Sequence, residues 1–108
     1  TSGLTISAIQ CTVDKGTHTT IAVNADKVAL QNCNTSGVTV ANNYCTIQGG
    51  VHTGAIVLNG SYNVVEHTLQ ATSISIKAAS TNNRVAFCNC DTPIVAVANN
   101  TTVFNSEY

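Results

Sequence analysis

The sequence predicts an all-β fold in which the chain winds as a single-stranded parallel β-solenoid, or β-helix, of about six short coils of roughly 17–18 residues. Three observations lead to this prediction: the composition, an internal repeat, and two apolar ladders in step with that repeat. Of the 108 residues, 44% are hydrophobic and only 8% are charged, whereas about a quarter of a typical soluble domain is charged. The mean hydropathy of +0.16 excludes a disordered linker, which requires low hydrophobicity or high charge.

The residue types favour strands and turns. Val, Ile and Thr are abundant, and branching at Cβ suits the pleated surface of a strand. Asn, Gly and Ser favour turns, because they tolerate left-handed backbone or hydrogen-bond to their own main chain. No apolar stripe at helical spacing is long enough to predict a helix.

The chain contains an internal repeat, in which the segment that starts at Thr1 recurs from Thr35 onward. The segment 1–16 reads TSGLTISAIQCTVDKG, and the segment 35–50 reads TSGVTVANNYCTIQGG. The positions that recur identically are Thr1, Ser2, Gly3, Thr5, Cys11, Thr12 and Gly16. An intermediate copy is visible halfway between the two segments.

Two apolar ladders follow this half-period. The first passes at nearly equal steps through Ile6, Val23, Val40, Leu58 and Ile76. The second passes through Val13, Leu30, Ile47, Val65, Phe87 and Val103. Its steps are nearly equal except for a longer one from Val65 to Phe87, which places one insertion between the fourth and fifth copies.

The half-period, which is about 17–18 residues, fits one coil of a parallel β-solenoid. Helical hairpin repeats need about 33 or more residues per unit, so they are excluded. Stacked strands lie about 4.8 Å apart, so six coils would form a rod about 29 Å long. Asn-rich corners recur at equivalent places, where stacked side chains are expected to hydrogen-bond from coil to coil. These corners are at 24–26, 42–43, 59–60, 82–83 and 99–100.

Alternation along each strand turns the neighbours of the ladder residues outward. The outward columns are small and almost uncharged, and they comprise Thr5, Ala22, Thr39, Val57 and Ser75 on the first strand and Thr12, Ala29, Thr46, Val64 and Ala86 on the second. Flat uncharged strands invite association, so we expect these faces to pack on sister subunits or on another part of a longer chain. The alternative is ice binding, because regular Thr arrays on solenoids resemble those of antifreeze proteins.

Phrases such as NNYCTIQGG and NGSYNVVEHT, together with the periodicity, resemble parallel β-helix proteins. Those proteins form the pectate-lyase-like superfamily, which includes viral tailspikes and phage appendage proteins. The resemblance covers most of the chain. A left-handed hexapeptide solenoid has a coil of similar length, but the apolar residue that it needs at every sixth position is absent from this sequence. Counted from Val23, those positions are Ala29 and Thr35. The right-handed form is therefore favoured.

Neither end of the sequence contains a pattern typical of a solenoid cap. The repeat starts at Thr1, and Tyr108 closes the last strand-like segment. We therefore expect residues 1–108 to be a single β-helix segment of a larger protein, or to be capped by partner chains. Tailspikes and phage appendages are similar, being trimers of β-helices with other domains at each end. The resemblance implies a homotrimer in the virion tail, which is extracellular when functional.

The cysteines lack a disulfide-scaffold spacing; they are Cys11, Cys33, Cys45, Cys88 and Cys90. Cys11 and Cys45 are placed in one inner column with Val28 and Val85, two coils or about 9–10 Å apart. A disulfide needs Cα atoms within about 7 Å. Buried reduced thiols are predicted instead, as expected for a protein assembled in a reducing cytoplasm.

Three kinds of partner are not expected. The formal net charge of −1 argues against a nucleic-acid surface, which clusters Lys and Arg. No apolar run is long enough to predict a membrane span. His18 and His52 share one column with Thr35 between them, and two coils are too many for a shared metal. No metal or other cofactor is predicted.

The candidate catalytic residues are Asp14, Glu66 and His67. Polysaccharide hydrolysis needs two carboxylates about 5–10 Å apart. Asp14 and Glu66 occupy one outward column but lie three coils or about 14 Å apart. Glu66 and His67 form the best acid/base pair, yet adjacent strand residues point to opposite faces. The sequence therefore leaves catalysis uncertain and favours a role without it; if there is activity, it is that of a polysaccharide hydrolase or lyase.

The candidate ligand-binding residues lie three positions before the second ladder. That column is predicted to contain Gln10, Lys27, Tyr44, Tyr62, Arg84 and Asn100. Stacked Tyr44 and Tyr62, flanked by Lys27 and Arg84, would present an amphipathic strip of the kind that sugars bind, with cation–π contacts available. The alternative is that the tyrosines only cover the corner of the solenoid.

Three functional hypotheses follow from these patterns. The first, implied by the resemblance, is a structural β-helix module of a phage tailspike or appendage that takes part in host cell-surface attachment and contacts surface polysaccharide. The second is a fragment of a polysaccharide-degrading β-helix enzyme. The third is an ice-binding β-solenoid.

Overall fold

The computed structural model describes residues 3–68, 73–77 and 80–88, together with the strands at 95–96 and 102–104. Within this part of the chain there is no helix, every strand pairs in parallel, and the coils stack as a β-solenoid of about five turns. The predicted fold class is confirmed. Asn100 and Cys90 lie outside the described residues.

Two six-stranded sheets form the main walls of the solenoid. Sheet 1 contains β1 (Leu4–Ile6), β4 (Ile21–Val23), β7 (Val38–Val40), β9 (Ala55–Leu58), β11 (Ser73–Ile76) and β13 (Val95–Ala96). Sheet 2 contains β2 (Thr12–Asp14), β5 (Ala29–Gln31), β8 (Thr46–Gln48), β10 (Val64–Glu66), β12 (Arg84–Ala86) and β14 (Thr102–Phe104). A short third sheet pairs β3 (Thr17–His18) with β6 (Asn34–Thr35), and a bridge continues it from Thr35 to His52.

The first apolar ladder is confirmed in sheet 1. Its five residues align strand by strand, and none is more than 5% exposed. The neighbouring outward column, from Thr5 to Ser75, has the predicted register. Strand alternation therefore places the larger aliphatic side chains in the core and the smaller ones outside.

The second ladder is correct through its first four residues and wrong at the fifth. Val65 aligns with Val85, not with Phe87, and Val85 in turn aligns with Val103. Val85 and Phe87 have the same parity along the strand, so apolar alternation alone does not distinguish them. Phe87 follows the end of β12, with a φ of 55° and 43% of its surface exposed.

This register corrects two further predictions. In the outward column of sheet 2, Val64 aligns with Arg84, whereas Ala86 aligns with Glu66 and is buried. Val85 also does not share the inner column of the cysteines. Asn63 and Asn83 hold that column, because each directly precedes a residue of the register that continues from Cys45. The Cys45 amide donates to Asn63 Oδ1 at 2.8 Å, and the Asn63 amide donates to Asn83 Oδ1 at 2.9 Å.

The predicted hydrogen bonding between polar corners is present. The Asn43 amide donates to Asp26 Oδ1 at 2.9 Å, and the Ser61 amide donates to Asn43 Oδ1 at 2.8 Å. The Thr81 amide then donates to Ser61 Oγ at 2.9 Å. One side chain per coil thus accepts a hydrogen bond from the backbone of the next coil, which satisfies amides that the tight corner removes from the sheet ladder.

Candidate functional site

The corner that leads into sheet 2 has the same backbone conformation in every described coil. Gln10, Lys27, Tyr44, Tyr62 and Asn82 all have positive φ, between 58° and 60°. Positive φ is uncommon for residues other than glycine, and Asn tolerates it best. Its recurrence at one corner shows that the coil geometry imposes it, and each of these residues has its side chain at the outer edge of the solenoid.

Tyr44 and Tyr62 stack at this corner. Their ring centroids are 5.0 Å apart and their planes differ by 9°. The separation follows from the strand spacing of about 4.8 Å, which puts equivalent side chains of successive coils at stacking distance. The rings remain accessible, because 56% of Tyr44 and 48% of Tyr62 is exposed. Lys27 holds the same position in the preceding coil.

Arg84 does not lie in the tyrosine column. Asn82 holds that position, and Arg84 is exposed on the outward face of β12, aligned with Val64. The prediction was wrong here because of the insertion in the second ladder. The column lies three residues before each ladder residue, which gives Arg84 when counted from Phe87 but Asn82 when counted from Val85. Arg84 is therefore beside the tyrosine strip on the sheet and not above it at the corner.

A second aromatic pair lies at the other end of the sheet 2 strands. The rings of His67 and Phe87 have centroids 5.1 Å apart and planes that differ by 6°. Both residues have a φ of 55°, and the same corner has positive φ at Lys15, Asn32 and Gly49 in the earlier coils. The sequence-based reasoning missed this pair. Alignment of Val65 with Val85 would have revealed it, because Phe87 then falls above His67.

The candidate catalytic residues do not form a pair. Asp14 and Glu66 do belong to one column, joined through Gln31 and Gln48, and three strand spacings separate them. At about 4.8 Å per strand this is about 14 Å, which exceeds the separation that glycosidic hydrolysis uses. His67 stacks on Phe87 at the corner. No group of three or more His, Cys, Asp or Glu residues that could hold a metal occurs in the described ranges.

His52 is a buried structural residue. Its side chain is 0% exposed. Nε2 lies 3.1 Å from the Gly49 carbonyl oxygen, to which it donates, so Nδ1 accepts from Thr35 Oγ1 at 2.8 Å. Desolvation by burial lowers the pKa of His52, and the hydrogen bond to the Gly49 carbonyl opposes this more weakly. The folded protein therefore favours neutral His52.

We expect acid to destabilise the solenoid through His52. Below about pH 6.5 the unfolded chain binds a proton that the folded chain excludes, so the free energy of unfolding falls as the pH decreases from about 7 to about 5. Each unit of difference between the folded and unfolded pKa corresponds to about 1.4 kcal/mol. Urea unfolding at several pH values measures this slope. His52→Gln should flatten it; equal slopes for wild type and His52→Gln would contradict the assignment.

Cys11, Cys33 and Cys45 are free thiols, and Cys88 Sγ donates to the Ala86 carbonyl at 3.3 Å. Burial raises the pKa of Cys33 and of Cys45 above that of an ordinary thiol, and hydrogen bonds to backbone groups oppose this. Cys45 Sγ donates to the Ala25 carbonyl at 3.3 Å. Cys33 and Cys45 are therefore packing groups and not nucleophiles.

Comparison with known proteins found no match for this chain. No protein-family model matches the chain, and neither a curated protein nor a solved structure matches it. The described part of the chain has no helix that is long and apolar enough to cross a membrane.

Proposed function

We propose that this β-solenoid is a structural module that attaches to cell-surface glycans through the Tyr44–Tyr62 pair. The observation that carries the proposal is the stack of two exposed rings, 5.0 Å apart, at a solenoid corner. Tyrosine combines an apolar ring face with a polar hydroxyl, which suits the mixed apolar and polar surface of a sugar. Lys27, in the preceding coil, adds a hydrogen-bond donor beside the rings.

The coil-to-coil hydrogen bonds support this role because they fix the backbone from which the stacked rings project. The Lys27 amide donates to the Asn43 carbonyl at 3.1 Å, and the Tyr44 amide donates to the Ser61 carbonyl at 3.2 Å. The Tyr62 amide donates to the Thr81 carbonyl at 3.0 Å. Rings fixed before a ligand arrives lose little conformational entropy on binding, so a preorganised strip binds more tightly than a flexible one.

We further propose that the module belongs to a homotrimeric phage tailspike or tail appendage, and acts in host attachment outside the cell after assembly in a reducing cytoplasm. The resemblance to β-helix tailspikes supports this part. The outward face of sheet 1 would contact the sister subunits. That face presents Thr5, Ala22, Thr39, Val57 and Ser75, which are small and uncharged. Small side chains permit close approach of two flat sheets.

The two alternatives have less support in the geometry. A polysaccharide-degrading activity needs a second carboxylate near Glu66, and its column partner Asp14 is three strands away. Ice binding needs a regular array of threonines. Threonine does not recur in every coil, since Ala22 separates Thr5 from Thr39 in sheet 1.

We expect Tyr44→Asn and Tyr62→Asn to weaken glycan binding by about tenfold or more, because truncation of an aromatic hot-spot residue costs about 2 kcal/mol or more and a tenfold change is about 1.4 kcal/mol. Asn removes the ring but tolerates positive φ, so both variants should fold normally. Binding is measured on an array of bacterial lipopolysaccharide and capsular polysaccharides. Gln10→Asn is the matched control, because it changes the same corner two coils away from Tyr44. Wild-type protein that binds no array glycan, or variants that bind as wild type, would contradict the proposal.

The trimeric part predicts a solution mass of three chains by light scattering. The mass should persist in mild detergent, because sheet-to-sheet packing between subunits is extensive in a trimer of this kind. Val57→Lys, on the outward face of sheet 1, should dissociate the trimer by placing a charge in the interface. A wild-type protein that remains a monomer at high concentration would contradict this part and would leave the glycan proposal intact.

A further inference from the structure

The two aromatic pairs are connected through one coil. Tyr62 precedes β10 and His67 follows it, so the coil of β10 carries a ring at each end of its strand. Tyr44 extends the first pair into the coil before, and Phe87 extends the second into the coil after. Large exposed hydrophobic side chains in the described ranges are few, namely Ile9, Tyr44, Tyr62 and Phe87. Three of these four belong to the two pairs.

Polar side chains lie between the pairs on the outward face of β10 and β12. Arg84 is exposed, and Glu66 is half-buried on the neighbouring strand. Val64 aligns with Arg84 and Glu66 aligns with Ala86, so Arg84 and Glu66 are diagonal neighbours on one face. Guanidinium donors and carboxylate acceptors side by side match the hydroxyl groups of a sugar, which both donate and accept.

We propose that these side chains form one continuous oligosaccharide site, in which Tyr62 and the His67–Phe87 pair are platforms at the two ends and Arg84 and Glu66 bind hydroxyls between them. This inference rests on the proposed function and specifies its ligand as an oligosaccharide. Val64 and Glu66, the two ends of β10, are about 7 Å apart, and Tyr62 and His67 lie beyond them, so more than about 7 Å of strand separates the two platforms. A single sugar ring is shorter than this separation and contacts one platform only. The sequence-based candidates Tyr62, Arg84, Glu66 and His67 thereby belong to one surface.

The test compares glycan fragments of increasing length. Fragments from monosaccharide to hexasaccharide are prepared by partial acid hydrolysis of the polysaccharide that binds most tightly to the array, and their affinities are measured by calorimetry. Wild-type affinity should rise steeply once the fragment reaches both platforms. Phe87→Asn should weaken hexasaccharide binding about tenfold and leave disaccharide binding at the tyrosines unchanged, whereas Tyr62→Asn should weaken both.

Phe87→Asn is compatible with the positive φ at this corner, and His67→Asn is a second variant with the same property if the first unfolds. Thermal unfolding confirms that each variant is folded. Unchanged hexasaccharide binding in Phe87→Asn and His67→Asn, together with weakened binding in Tyr62→Asn, would overturn the extended site and preserve the proposed function. Unchanged binding in all three variants would overturn both.

Discussion

Gly50→Ala is expected to prevent stable folding of the solenoid. Gly50 has a φ of 85°, which alanine adopts only with strain. A Cβ atom at this position would overlap the Cys33 carbonyl oxygen and lie 2.9 Å from both the nitrogen and the carbonyl carbon of Cys33. Those atoms are backbone of the adjacent coil and cannot move without breaking the stack. We expect a loss of about 4 kcal/mol or more, which approaches the whole stability of a small domain.

Gly3→Ala is the matched control for this substitution. A Cβ atom at Gly3 would meet the Thr20 hydroxyl at 3.3 Å, and a hydroxyl on a side chain can rotate away. Circular dichroism and urea unfolding of the two variants provide the comparison. If Gly50→Ala unfolds at the same urea concentration as Gly3→Ala, the assignment of a close backbone contact between Gly50 and Cys33 is contradicted.

Ile56→Ala is expected to destabilise the core by about 2–5 kcal/mol. Ile56 is 0% exposed and lies in β9, where it aligns with Val38 on one side and Ile74 on the other. Removal of its side chain leaves a cavity that the neighbouring strands cannot close, because the backbone ladders fix their spacing. The midpoint of urea unfolding should fall accordingly while the far-ultraviolet spectrum of the folded state is preserved.

Val57→Ala distinguishes core packing from strand propensity. Val57 is the next residue of β9, but it points outward and is only half-buried. The substitution removes a β-branched side chain from the same strand, so it should cost at most about 1 kcal/mol. Equal destabilisation by Ile56→Ala and Val57→Ala would contradict the assignment of the inward and outward faces.

The sequence contains enough periodicity to predict the fold and much of the register. Equal steps align Ile6, Val23 and Val40, and a repeated apolar residue in alternation with small ones identifies the inward face. The recurrence of Gly16 as Gly50 in the repeat also has a structural cause, because both have positive φ. Such features are local or strictly periodic, so they are visible in one sequence.

The candidate site was predicted only in part, because it depends on features that are not periodic. The insertion before Val85 lengthens one step of the second ladder, and Phe87 at the same parity offers an equally apolar alternative. That choice hid the His67–Phe87 pair and misplaced Arg84. The buried hydrogen bonds of His52 depend on how a corner closes, which no residue spacing specifies.

The most direct test of a glycan-binding aromatic strip is to follow the ring protons of Tyr44 and Tyr62 by nuclear magnetic resonance during titration with the polysaccharide selected on the array. The two Asn variants assign the signals. We predict that both ring signals move and saturate together, at the concentration where binding saturates, because the sugar lies against the stacked rings. A glycan that binds and shifts other signals while both ring signals stay unchanged would contradict the assignment of this corner as the binding surface.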